Sequence, residues 1–330
     1  MPIIQVMIDG TIRTVTRLQK EGRLDGIVSL GGSMGMAIGV NAMRVLPADV
    51  PKLMVGTHFY PQYLQESGLL IFECPTDIMG LNPVTNRTLR QAAGAICGMV
   101  AANPPEEKTR PLVALTGLGV TTQGVMALQP LLEAMGNDTV VFHGNSIFMD
   151  QLIEKGTIDG VVDFSPNELI RIFVISETPE RKDRLESAGR KGLPQVIVPG
   201  SLDMIVLRMT RDQIPERYRQ RKIYLHGPFV TGVRTSAEEL TVLARIVAEK
   251  ASRSKGPVAV VFPLKGFSAI DKEGRAFYEP ETDRVFLEVL KEMGPKGMEI
   301  FEVEAHVLDE AFIKEVARVY SMIAKGRDAS

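Results

Sequence analysis

Tryptophan is absent from the 330 residues, cysteine occurs twice, and aromatic residues make up only 6%. Two cysteines, Cys74 and Cys97, cannot build a disulfide framework, so a reducing cytoplasm is the expected compartment. No run approaches the roughly 18 consecutive apolar residues of a membrane span. The opening Met1-Pro2-Ile3-Ile4-Gln5 lacks the basic start and apolar stretch of a secretion signal. Neither sign of charge dominates, with 38 Lys and Arg against 40 Asp and Glu. A dedicated nucleic-acid surface needs a basic block, and none is present. Neither nucleic acid nor a membrane is therefore an expected partner. What remains is an ordinary globular composition, 45% hydrophobic, in a chain long enough for two domains.

Short apolar runs alternate with amphipathic stretches. Strands are predicted at Ile27–Leu30, Lys52–Gly56, Leu112–Thr116, Thr139–Phe142, Gly160–Phe164, Val196–Val198, Lys222–Leu225, Val258–Phe262 and Glu299–Val303. Helices are predicted at Met34–Leu46, Thr85–Val100, Thr122–Met135, Phe148–Lys155, Ala237–Ala251, Arg284–Met293 and Asp309–Ala324. Asn103-Pro104-Pro105-Glu106-Glu107-Lys108 reads as a linker. Strands that are apolar throughout and separated by helices predict a parallel sheet covered on both faces, an α/β fold.

A repeat runs through the chain. Leu18–Val28 matches Leu152–Val162 around a shared Asp-Gly, and Val50–Val55 matches Leu193–Val198 in the same order. Two related α/β halves, an internal duplication, are the expectation. The second half opens with a strand, helix and strand (Leu112–Phe142) for which the first half has no counterpart. Val258–Val303 offers a similar unit that could cross back to complete the first half, although sequential elements usually neighbour one another.

Ligands of open parallel sheets gather beyond the carboxyl ends of the strands. There Gly31-Gly32-Ser33-Met34-Gly35 leaves a strand and opens a helix, where exposed N–H groups and the helix dipole suit a phosphate. The plain alternative is a tight turn with a serine cap. Thr57 follows the neighbouring strand. Gly117, Gly119, Thr121 and Thr122 repeat the arrangement after Leu112–Thr116, with a turn and cap as the alternative. All four histidines, His58, His143, His226 and His306, follow predicted strands, where imidazole can move protons, hold a metal or donate to a phosphate. None has a compact metal-ligand spacing, and a loop hydrogen bond is the commoner role for each. Gly200, Ser201 and Asp203 follow the Val196 strand, with Asp203 a candidate to orient a histidine or hold a cation. Arg234 suits a carboxylate or phosphate, and a surface ion pair equally. Lys265, Ser268 and Asp271 bring a cation, a hydroxyl and a carboxylate to one loop. Glu168 stands where the repeat has the Gly31 loop, as a catalytic carboxylate or a first-turn helix residue. Asn82 and Arg87 are further candidates in the first half.

Several ordered blocks carry a resemblance. Leu24-Asp25-Gly26-Ile27-Val28-Ser29-Leu30-Gly31-Gly32-Ser33, Asp77–Asn82 with Ala92–Ile96, Gly119–Thr122, Pro194–Val196 with Pro199–Met204, Gly256–Val260 with Pro263–Gly266, and Glu304-Ala305-His306 with Asp309 resemble the family containing the ATP-binding inhibitory domain of the tomato mosaic virus resistance protein. The resemblance covers almost the whole chain from about Leu18. It implies two Rossmann-like subdomains, which the linker divides into residues 1–108 and 109–330, with the repeat leaving 256–330 crossing back to the first as the alternative. It also implies a homodimer, ATP with Mg2+, and a TIM-barrel protein as partner. The strand and GTLDTKG-like loop that open other members have no match here, matching the gap in the repeat; a separate chain supplying those elements is then a further expected partner. His58-Phe59-Tyr60 and Gly144-Asn145-Ser146 also depart from the family pattern. Three functions stay open: a protein binding ATP or another phosphometabolite, with Asp203 or Asp271 as Mg2+ ligands; an enzyme acting on a small oxo acid or sugar acid through His143, His226 or His306; or a binding subunit that needs a partner.

Overall fold

The computed structural model describes residues 3–47, 49–57, 68–102, 109–144, 148–177 and 182–328. The expected linker 103–108, the loop beginning with His58-Phe59-Tyr60, and Asn145-Ser146 lie outside them. The chain divides into two compact units, Met1–Glu107 and Lys108–Ser330.

In the first unit, β1 (Ile27–Leu30), β2 (Lys52–Gly56) and β3 (Leu70–Glu73) form a parallel sheet in that order. The central strand β2 is buried along its whole length, including Lys52, whose ammonium donates to the Pro47 carbonyl at 2.6 Å. Burial holds that amine below its usual range. Two helices precede and follow β1: α1 (Ile3–Lys20) and α2 (Ser33–Arg44). They meet through Val15, Ala42 and Leu46. Gly39 lets α2 lie directly on β1, since a Cβ there would fall 2.2 Å from Ser29 Oγ. Helix α3 (Pro83–Ala101) starts at a complete capping box, in which Asn82 Oδ1 accepts from the Val84 and Thr85 amides and Thr85 Oγ1 accepts from the Asn82 amide. Asn82 is thus a helix cap. Helix α1 and strand β3 were not among the predicted elements.

The second unit is built on a six-stranded parallel sheet in the order β12-β11-β7-β6-β4-β5. Its strands are β4 (Leu112–Gly117), β5 (Asp138–His143), β6 (Gly160–Asp163), β7 (Gln195–Ile197), β11 (Val258–Pro263) and β12 (Glu299–Val303). Alternate side chains enter different layers, as the two-residue period of a strand demands. Val113, Leu115, Val162, Val196, Val198, Ala259 and Val261 pack under α4 (Thr122–Ala134) and α9 (Glu310–Asp328). Ala114 and Val161 face α5 (Phe148–Lys155) and α6 (Ser187–Arg190). Ile197, Val260 and Phe262 face α7 (Ala237–Ser252) and α8 (Pro280–Met293). The sheet is doubly wound. Each fully buried Leu or Phe in these layers contributes about 1.5–3 kcal/mol, which keeps the strand ends in fixed places.

The structure corrects two expectations. Residues 256–330 do not cross back: β11 pairs with β7 and β12 with β11, so both complete the second unit's own sheet. Lys222–Leu225 does not enter the parallel sheet. It lies in β9 (Ile223–Gly227), which joins β10 (Val230–Arg234) and β8 (Met204–Leu207) in a separate antiparallel sheet, β8-β10-β9. Ile205, Leu207 and Val233 on one face of this sheet enter the large core, while Met204, Val206 and Tyr224 line the other face.

The repeated segments take equivalent places. Val28 pairs with Leu53 in the first unit, and their counterparts Val162 and Val196 pair in the second. The outer side of β6 carries β4, with Val162 opposite Leu115. Among the described residues no strand pairs with that side of β1.

Candidate functional site

In the second unit the chain leaves β4 for β5 on one side and later returns to β6 on the other. The loops that follow β4 and β6 therefore part company, and a crevice opens between them. The antiparallel sheet roofs that crevice, enclosing a cavity of about 210 Å3. Leu118-Gly119-Val120 supply one wall from the end of β4, and His143 projects from the end of β5. Asn167 and Arg171 come from the segment after β6. The roof contributes Met204 and Val206, two apart on one face of β8, and Arg208 just past its end, together with His226, Val230 and Gly232.

The polar groups of this cavity differ in their commitments. Asn167 is held from behind, its Nδ2 donating to the Ser201 carbonyl at 2.6 Å and the Met204 carbonyl at 2.8 Å. Arg171 sits in a π-helical turn, Ile170–Val174, a rare backbone form often found at functional sites. Its Nε donates to Glu177 at 3.1 Å and leaves both Nη groups without a partner among the described residues. Arg208 is exposed and makes no ion pair within the described residues. His143 and His226 are exposed, and neither ring is hydrogen-bonded among them. The His226 ring lies against Tyr224, centroids 6.4 Å apart. The Arg208 guanidinium, the two Arg171 Nη groups and two imidazoles, all unengaged among the described residues, face one partly apolar hollow and can bind an anion and exchange protons with it.

Most of the other expected residues are elsewhere. His306 is 1% exposed. Its Nδ1 accepts from the Leu308 amide at 3.2 Å, so Nε2 carries the proton and donates to the Ser268 carbonyl at 2.9 Å. Burial lowers its affinity for a second proton. This histidine is a clip between loops rather than a proton carrier. Glu168 is likewise buried, bound at 3.2 Å by the Arg184 Nε, while the same guanidinium holds Asp163. It serves an internal ion cluster.

Arg234 is 2% exposed and spent on Asp283 and on the Asp203 carbonyl. Asp203 Oδ2 accepts from Ser268 Oγ at 2.7 Å, and Asp271 Oδ2 accepts from the Phe267 amide at 2.8 Å. Burial and the neighbouring Asp271 carboxylate push Asp203 up to about 7, and the same two causes raise Asp283 well above the usual carboxylate range. The remaining oxygens Asp203 Oδ1, Asp271 Oδ1 and Asp283 Oδ2 are buried without a donor. Among the described residues no group of three His, Cys, Asp or Glu could hold a metal ion. Asp203 and Asp271, the expected Mg2+ ligands, are both 0% exposed.

Gly200 is required by packing, because a Cβ would meet the Phe164 carbonyl oxygen at 2.1 Å, and Ser201 is fully buried beside it. Thr121 Oγ1 accepts from the Leu118 amide and closes the turn after β4, and Thr122 Oγ1 donates to the Leu118 carbonyl. Gly117 ends β4 against Val125. Lys265 is exposed and pairs with Glu304 at 3.5 Å. Of the expected site residues, the cavity gathers His143, His226 and Gly119. It adds Arg171 and Arg208, which sequence reasoning passed over.

In the first unit, Gly31 adopts a φ of 151°, and a Cβ there would meet Gly35 Cα at 2.9 Å. The turn from β1 into α2 is that tight. Gly32 caps α2 without any side-chain hydrogen bond, and Gly32, Ser33 and Met34 are exposed. Thr57 Oγ1 lies 3.7 Å from where a Gly32 Cβ would be. The helix opens toward solvent with its first amides uncapped. Among the described residues no helix is long and apolar enough to cross a membrane.

Residues 2–105 match the N-terminal domain, and residues 110–324 the C-terminal domain, of the uncharacterised protein family UPF0261. A UPF0261 protein of Clostridium tetani is 37% identical over 96% of this chain and 80% of its own length. Another, from Brucella melitensis, is 30% identical over 97% of this chain and 79% of its own length. The tomato ToMV resistance protein Tm-1(GCR237) is 33% identical over 79% of this chain and 36% of its own length. A thioesterase domain from the curacin biosynthetic pathway shares 10% identity at a TM-score of 0.32, covering 66% of this chain and 92% of that domain. Both domain models and the full-length relatives agree: the chain belongs to the UPF0261 family.

Proposed function

We propose that the second unit binds a small phosphorylated or carboxylated metabolite in the cavity at the divergence of β4 and β6, with Arg171 and Arg208 receiving the anion. His143 and His226 stand where they can pass protons to and from the bound molecule, which makes an enzyme acting on a small acid the reading the geometry supports best. The observation that carries it is the convergence of two arginines and two histidines, from four separate segments, on one hollow, with both Arg171 Nη groups, the Arg208 guanidinium and both imidazoles unengaged among the described residues. Arg171 meets Glu177 through Nε alone and keeps its Nη groups for the anion, whereas the alternative donor Arg234 is buried and spent on Asp283. Isothermal titration with inorganic phosphate and with acetate tests the reading. Millimolar or tighter binding that Arg208→Ala weakens at least tenfold supports it, and no heat from either anion overturns it.

A second reading rests on a separate observation. The uncapped, exposed first turn of α2 behind Gly31 is a phosphate cradle of the kind helix N-termini provide. ATP binding in the first unit, as the sequence resemblance implies, would use the Gly32 and Ser33 amides. Titration of ATP with and without Mg2+ against Gly32→Pro, which removes one of these amides, tests it. Unchanged ATP binding by that variant would sink it. A homodimer, a partner chain and a cytoplasmic setting belong to the same reading and are tested by sedimentation and copurification.

A further inference from the structure

Beside the cavity runs a second hollow of about 320 Å3, and the two share Leu118, Gly119 and His143. Its walls follow from simple periodicity. Thr122, Met126 and Gln129 fall at i, i+4 and i+7 on α4 and make one stripe. Thr139, Val141 and His143 alternate on one face of the edge strand β5. Gln129 Nε2 donates to Thr139 Oγ1 at 3.1 Å and ties the helix to the strand at the end away from His143. The result is a shallow groove that runs into the cavity at His143.

The groove is apolar and wet. Met126 is 65% exposed and Val141 44%, although Val125 beneath them is buried. At the passage between the two hollows stands Gly119, where an added Cβ would meet nothing within 4 Å. Open space beside a glycine, two unburied apolar side chains and a cationic mouth point to one occupant that is charged at one end and apolar at the other.

Building on the anion-binding reading above, we propose that the ligand is an amphipathic acid. Its carboxylate or phosphate lies between Arg171 and Arg208, and a linear apolar arm passes Gly119 and lies along Met126 and Val141. The occupant is the arm of the same small molecule because the groove is continuous with the cavity, which it joins through the three common residues Leu118, Gly119 and His143.

Calorimetric titration with straight-chain alkanoates from acetate to octanoate, beside inorganic phosphate, tests this on the full chain. Each methylene buried in the groove should tighten binding about fourfold, until the groove is full. The double variant Met126→Asn with Val141→Thr, two exposed positions that the fold tolerates, should flatten the series and leave phosphate and acetate unchanged. Gly119→Ala should weaken the long acids more than acetate. A flat series in the unaltered protein, with phosphate and acetate still bound through Arg208, overturns the amphipathic ligand and leaves the anion site standing. Long acids whose binding ignores Arg208→Ala also overturn it, since the groove would then serve a separate apolar partner. If no anion binds, both readings fall together.

Discussion

The second unit contains two assemblies of arginine, histidine and loop residues, each beyond the carboxyl ends of its strands. In one, Arg234 is locked onto Asp283 and the Asp203 carbonyl, and His306 spends both ring nitrogens on backbone groups. In the other, among the described residues, Arg208 has no ion pair, Arg171 uses only its Nε, and the His143 and His226 rings have no hydrogen bond. Similar residue types at similar positions in the topology have opposite fates. What separates them is cover. The loop from Lys265 to Phe277 and helix α8 close over the first assembly, whereas the antiparallel sheet arches over the second and leaves room beneath. A guanidinium buried against its own protein's carboxylate is closed to a ligand.

The largest effect expected from this contrast is on stability. Arg234→Met leaves the Asp203, Asp271 and Asp283 carboxylates without their cation and should cost about 3–5 kcal/mol, read as an early urea midpoint. Arg208→Ala should stay within about 0.5 kcal/mol of the unaltered protein while losing anion affinity. Equal destabilisation by the two variants would erase the distinction between them.

His306→Gln comes next. It removes a buried, doubly bonded ring and should cost about 1–3 kcal/mol, against a change within about 0.5 kcal/mol for the exposed His226→Gln. Denaturant unfolding of the two variants side by side decides it. If His226→Gln proves the costlier, the assignment of sealed and open clusters is reversed.

The smallest effect is a change in pH dependence. Asp203 is raised in the folded state, so the stability it contributes is complete at acid pH and is lost as pH climbs through about 7. His306 is lowered and acts in the other direction, losing stability as pH falls below its ordinary range. Melting temperatures taken between pH 4 and pH 9 should fall as pH rises toward about 7 in the unaltered protein and level off above it, and fall less in Asp203→Asn. Parallel curves for the two proteins would remove the protonated aspartate from the account.

The parallel framework was readable because its strands are apolar on both faces and its helices carry regular periods. The Val50–Val55 and Leu193–Val198 match even anticipated a shared register. The antiparallel sheet escaped because Met204-Ile205-Val206-Leu207 is apolar throughout and lies beside the turn-rich Gly200–Asp203. Arg208 was overlooked with it, although the alternation Met204, Val206, Arg208 is a signal once the strand is known. Arg171 had no comparable signal, since a π-helical turn has no sequence period of its own. Strand ends could be located from sequence, so His143 and His226 were legible. Whether a strand end is covered depends on distant segments such as Asp283 on α8, which is why Arg234, His306 and Glu168 resembled site residues until their partners were known.

The most direct test of the open cavity uses the scarcity of histidine, with four residues in the whole chain. Their ring proton resonances can be followed by NMR during titration with inorganic phosphate and assigned by His143→Gln, His226→Gln and His306→Gln. The account predicts that the His143 and His226 signals move together and saturate at one midpoint, while His306 stays still. Movement of His306 with the other two silent would contradict it.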